Sequence, residues 1–84
     1  MQNNIKQGAI RIPNSTNGYN TFIYSMKRFD EPSEYGIDGG RISKLSLRDK
    51  DSGQFVVNYD RGWDIEPDTK EADTALKILM MNHN

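Results

Sequence analysis

Carboxylates crowd one short stretch of the chain: Asp60, Asp64, Glu66 and Asp68 fall within nine positions. Spaced by two, Asp64, Glu66 and Asp68 would project to one side of an extended segment and could offer oxygens to a hard cation such as Ca²⁺. The same acids suit a solvated edge running into a helix cap, because carboxylates are ordinary surface residues, and that is the reading adopted. Acid–base catalysis needs two carboxylates held in unlike environments, and nothing in the spacing provides that. The sole histidine, His83, is the next-to-last residue. A hydrolytic triad requires a firmly held imidazole, whereas chain ends fray. The absence of cysteine excludes a thiolate zinc site, a cysteine nucleophile and a disulfide framework.

Other motifs fail on spacing. "DKDSGQFVVNYD" (49–60) opens like a calcium loop with Asp49 and Asp51, but Gly53 comes one position early and Asp60 stands where glutamate is needed. "GIDGGR" (36–41) matches neither the dinucleotide nor the P-loop pattern and precedes a strand rather than a helix. Gly36, Gly39 and Gly40 read instead as turn-formers. The chain is therefore read as a non-enzymatic binding protein with no cofactor and no metal.

What remains are residues suited to contact. "VVNYDRGWDIEP" (56–67) carries Arg61, Trp63, Asp64 and Glu66, and the long loop "DEPSEYGIDGG" (30–40) carries Tyr35. Trp, Tyr and Arg are the usual anchors of protein interfaces, and long loops in small domains are often functional. Tyr35, Arg61, Trp63, Asp64 and Glu66 are the candidate partner contacts. The competing reading makes this stretch a structural corner: Gly62 turns the chain, Arg61 pairs with Asp64 or a neighbouring acid, and Trp63 is wedged between sheet edge and helix. A second class of partner is single-stranded nucleic acid, held on Arg11, Lys27, Arg28, Arg41, Lys44 and Arg48 with Tyr24 and Tyr35 nearby.

These side chains must be positioned by a small number of elements. "GAIRI" (8–12) reads as a strand, and Asn17-Gly18 as the following reversal. In "TFIYSMKRF" (21–29), Phe22, Tyr24 and Met26 share one face and Thr21, Ser25 and Lys27 the other, with Ile23 off-pattern and covered at an edge. "RISKLSLRD" (41–49) points Leu45 and Leu47 inward. Ile42 has the opposite parity, which predicts a bulge near Ser43-Lys44. After a hairpin turn at 49–53, "QFVVNY" (54–59) aligns Phe55, Val57 and Tyr59 inward. Asp68 then caps a helix over 69–81, with Glu71 three residues on as in a capping box. Ala72, Ala75, Leu76 and Leu79 form its apolar stripe. A helix this short needs a sheet to pack on. The expected fold is α+β: a four-stranded antiparallel β-meander with one C-terminal helix packed on one face.

Composition sets the frame. The 84 residues make one domain (1–84), 35% hydrophobic and 27% charged, with net charge −1. Charge is unevenly spread: residues 1–59 hold eight basic and six acidic groups, while residues 60–73 hold six acidic against Arg61 and Lys70. A whole-chain basic field of the nucleic-acid-gripping kind is absent. No apolar run nears the roughly 18 residues of a membrane span, and "MQNNIKQ" lacks the apolar stretch of a leader. With no cysteine to oxidise, the expected location is the cytoplasm.

Two blocks carry a resemblance: "SEYGIDGGRISKL" (33–45) within 29–49, and "YDRGWD" (59–64) within 56–67. Together they resemble a family of small uncharacterised proteins of low-GC Gram-positive bacteria and their phages and mobile elements. The resemblance implies a setting rather than an activity, namely a cytoplasmic protein of the bacterial host that occupies a surface of a host protein or complex. An anti-defence inhibitor of the anti-CRISPR type is its most concrete form. In such a role the acids of 60–73 could stand in for phosphates.

Overall fold

The computed structural model describes residues 5–84. The first residues of "MQNNIKQ", read above for a leader, lie outside them. Strands β1 (Ile5–Pro13), β2 (Tyr19–Arg28), β3 (Ile42–Asp49), β4 (Phe55–Asp60) and β5 (Trp63–Ile65) form one sheet in chain order, followed by helix α1 (Lys70–His83). Every pairing is antiparallel. The α+β meander with its C-terminal helix is thus present, but with five strands rather than four. The added strand is the tryptophan segment, which had been read as a corner. β1 also begins earlier and runs longer than the 8–12 expected.

Alternation builds the core. Ile12, Phe22, Met26, Leu45, Leu47, Val57 and Tyr59 point to one side of the sheet, and Ala72, Ala75, Leu76 and Leu79 of α1 close over them. The helix lies across β1 to β4. Gly8 has a packing reason: its cross-strand partner is Tyr24, and a Cβ there would come within 2.7 Å of that phenol oxygen. The glycine lets an aromatic ring lie across the strand.

Two of the sheet's three register shifts redirect core side chains. Between Lys27 and Arg28 the partner in β3 jumps from Lys44 to Ile42, leaving Ser43 as the extra residue of a bulge. This is the bulge Ile42 predicted, and it turns Ile42 into the core, fully buried. A second shift between Leu47 and Arg48 places Phe55 opposite Arg48 instead of in line with Val57. Phe55, expected inward, is 55% exposed on the side of the sheet away from α1. Val56 takes up part of its place against the core. Ile23, opposite Ala9 and Arg48, lies half-buried on that outer side as well.

The helix cap also differs from expectation. Thr69, not Asp68, is the N-cap: its Oγ1 accepts from the Ala72 N–H at 3.1 Å. Glu71 consequently falls one position short of the capping-box site. It and Asp73 still place negative charge in the first turn, where the helix dipole favours it.

The loop between β2 and β3 is closed rather than open. Phe29 N–H donates to Arg41 C=O and Ser33 N–H to Gly40 C=O, each at 3.0 Å. A single 3₁₀ turn at Ile37–Gly39 drops Ile37 into the core at 1% exposure. Gly36 permits the fold-back, since a Cβ there would overlap the Gly40 carbonyl. Asn84, at the end of α1, fastens the loop from below. Its Oδ1 accepts from Ile42 N–H at 2.9 Å and its Nδ2 donates to Ile37 C=O at 3.0 Å.

Candidate functional site

Tyr59 organises the candidate site. It is buried on β4, and its hydroxyl donates a 2.8 Å hydrogen bond to the Tyr35 carbonyl oxygen. This bond holds the centre of the 29–41 loop over the end of the sheet. Across the β4–β5 pairing, Trp63 stands directly opposite Tyr59, and the two rings meet edge to face with centroids 5.1 Å apart. Such a geometry is favoured by the ring quadrupoles and adds about 0.5–1.5 kcal/mol beyond burial.

Arg61 completes the group. Its guanidinium lies over the Tyr35 ring, 5.9 Å from the centroid. The chain does reverse at Asp60-Arg61-Gly62, as expected, but Arg61 rather than Gly62 takes the strained position, and among the described residues Arg61 pairs with neither Asp64 nor a neighbouring acid. Arg61 itself holds the left-handed conformation, φ 60°. Its N–H donates to Ser43 C=O at 3.1 Å, and Asp60 N–H donates to Gly62 C=O at 2.9 Å. Left-handed backbone is unfavourable for a residue with a Cβ, so these bonds hold Arg61 against its own preference. Among the described residues, the ion pairs are Lys44–Asp60 at 3.7 Å and Lys77–Asp73 at 2.8 Å.

Trp63 is not wedged between sheet and helix. It sits on the edge strand, on the helix-bearing side, with 39% of its surface exposed. Tyr35 is 54% exposed. Tyr35, Arg61 and Trp63, brought from two separate stretches of chain, are all exposed and are linked through buried Tyr59. Asp64 and Glu66 flank it without joining it. Asp64 is the extra residue where the register shifts against β4, and it accepts from Asn58 Nδ2 at 3.4 Å, while Glu66 is exposed just beyond β5.

The sequence reading missed Tyr59 as the hub, having read it as core alone. The available signal was the spacing Tyr59–Trp63 across a Gly-containing turn, which becomes a cross-strand pair once β5 is recognised. No three His, Cys, Asp or Glu side chains converge as a metal-holding group among the described residues. Burial, then the charges of Arg28 and Lys6, lower the His83 pKa from its ordinary value. No helix among the described residues is long and apolar enough to cross a membrane.

Comparison with known families bears on the whole of this architecture. A family model described as a domain of unknown function, DUF7678, matches residues 4–84. The chain belongs to the DUF7678 family. The match runs through both halves of the patch, so the loop bearing Tyr35 and the strand bearing Trp63 are parts of one DUF7678 domain. No curated protein and no solved structure matches the chain.

Proposed function

We propose that this DUF7678 protein is a non-enzymatic binding protein that docks on a surface of a larger protein partner through Tyr35, Arg61 and Trp63. The observation that carries the reading is that buried Tyr59 ties the two stretches together, packing on the Trp63 ring and bonding the Tyr35 carbonyl, while Arg61 lies over the Tyr35 ring and all three side chains stay exposed. Aromatic and arginine side chains already packed against a neighbouring ring lose less conformational freedom on docking. They are also the residue types that dominate interface energetics. The carboxylates Asp64 and Glu66 supply a polar rim, which steers encounter with a basic partner surface more than it adds affinity. A host protein of a bacterium is the proposed partner class, with inhibition of a defence nuclease as its most concrete form.

The test is capture from a bacterial host lysate by the immobilised chain, compared with Trp63→Ala, Tyr35→Ala and Arg61→Ala. The last substitution keeps a Cβ in the left-handed position and so removes the guanidinium without relieving the backbone. A partner held by this patch is lost from each variant by at least about 30-fold in affinity, the scale of an interface anchor. Lys70→Ala, on the first turn of α1, retains it. If the patch variants hold the same proteins as the parent at the same yield, the reading fails.

A further inference from the structure

Among the described residues, nothing covers the side of the sheet away from α1, and its cross-strand register builds a trough. Its floor is a row of small polar residues, with Ser25 opposite Ser46 and Ser46 opposite Asn58. Two residues along the strands in one direction stand Arg48 and Phe55, opposite each other. Two residues in the other direction stand Lys27 and Lys44, also opposite each other. A groove of about 490 Å³ runs from Lys27, Lys44 and Ile5 to Phe55, with Arg48 beside Phe55 just outside its lining. At about 3.4 Å per residue, the two wall rows are roughly 14 Å apart along the strands.

The charges in this trough have no full explanation in the fold. Like charges directly opposite one another in a sheet are destabilising, yet Lys27 and Lys44 are so placed. Lys44 has a loose pair with Asp60 at 3.7 Å, both ends being well exposed. Among the described residues, Lys27 lies over the face of Phe29, 5.7 Å away. On the far wall Arg48 adds another cation. Beyond it Arg11 lies over exposed Tyr19 at 4.4 Å. The carboxylates Asp60 and Asp64 are confined to the β4–β5 margin. Cations on both walls, a small hydroxyl-bearing floor and an aromatic ring more than half exposed suit a chain that alternates anionic groups with flat faces.

We infer that this face binds single-stranded nucleic acid lying across the strands, with phosphates on Lys27, Lys44 and Arg48 and a base stacked on Phe55. Base stacking on an aromatic residue is tolerant of sequence, and a cationic groove follows the backbone. A duplex is disfavoured because its bases are hidden in their own stack. The site differs from the set read in the sequence. Tyr24 packs against the core and Tyr35 belongs to the loop patch, whereas Phe55 and Tyr19, which had no such role in that reading, face the cations.

The experiment is fluorescence anisotropy of a labelled single-stranded oligonucleotide of about 12 residues, titrated with the full chain. With about two to four phosphates neutralised, raising salt from about 50 to about 200 mM weakens binding roughly 7- to 50-fold. Phe55→Ala, at an exposed position, weakens it roughly 5- to 150-fold. The pair Lys27→Gln and Lys44→Gln weakens it at least about 10-fold while the melting temperature holds or rises, because a repulsion is removed. Trp63→Ala leaves it unchanged, which separates this site from the docking patch. No binding at low salt overturns the inference. So does equal affinity for duplex, indifference to Phe55→Ala, or a lysine pair whose loss lowers the melting temperature and spares binding.

Discussion

Asn84 has an influence that no local feature of the sequence announces. One carboxamide bonds Ile42 N–H and Ile37 C=O, partners 42 and 47 positions away. Both lie at fully or nearly fully buried residues. Gly40 is shaped to it, since a Cβ at Gly40 would collide with the Asn84 side chain. Leaving a buried donor or acceptor unpaired costs about 1–3 kcal/mol. Asn84→Ala should therefore lower stability by roughly that amount in denaturant unfolding. Its effect is expected to concentrate on the 29–41 loop, where amide exchange at Gly39 and Gly40 rises before that of β3. A loss spread evenly over the sheet, or no loss, would contradict this account. The same residue shows where sequence reasoning stops: periodicity finds residues that repeat, and Asn84 and Ile37 repeat nothing.

Elements were legible in proportion to their length and regularity. Phe22, Tyr24 and Met26 on β2 announce their strand by alternation. Ala72, Ala75, Leu76 and Leu79 announce α1 by helical spacing. The bulge at Ser43 was visible because Ile42 broke parity. β5 was not, since three residues contain no period, and its identity depends on pairing with β4. Phe55 misled for a related reason: the shift opposite Arg48 is set by the partner strand and not by its own segment. The start of α1 gives a direct check. Thr69 and Asp68 are both good capping types, but Thr69 makes the bond to Ala72 N–H. Thr69→Ala should cost about 1 kcal/mol, in the usual range for a lost cap. Asp68→Ala should stay within about 0.5 kcal/mol, as for an ordinary surface change. Urea midpoints of the two variants decide it, and a reversed order would move the cap back to Asp68.

At the scale of the molecule, one helix ties the first four strands together and leaves both candidate surfaces outside it. β1 to β4 all meet α1, so the core is one body instead of two hairpins. The patch around Tyr59 lies at one corner and the trough on the opposite side of the sheet, where substitutions touch little of the core. That placement explains why the candidate contact residues could be named from sequence but not grouped: exposed aromatics and cations gain meaning from their neighbours across strands. It also makes stability and binding separable. A domain of this length has about 4–13 kcal/mol of total stability at about 0.05–0.15 kcal/mol per residue. Leu79, 3% exposed beneath α1, is a load-sharing contact in that small total. Leu79→Ala removes about 2–5 kcal/mol, enough to unfold a large fraction of the chain at the lower end of the range. Because Trp63 reports the far edge of the sheet and far-UV circular dichroism reports α1, the two signals should move together to the same lower midpoint. Were the dichroism to fall first while Trp63 emission held, helix and sheet would be separate cooperative units, and the single core described here would be wrong.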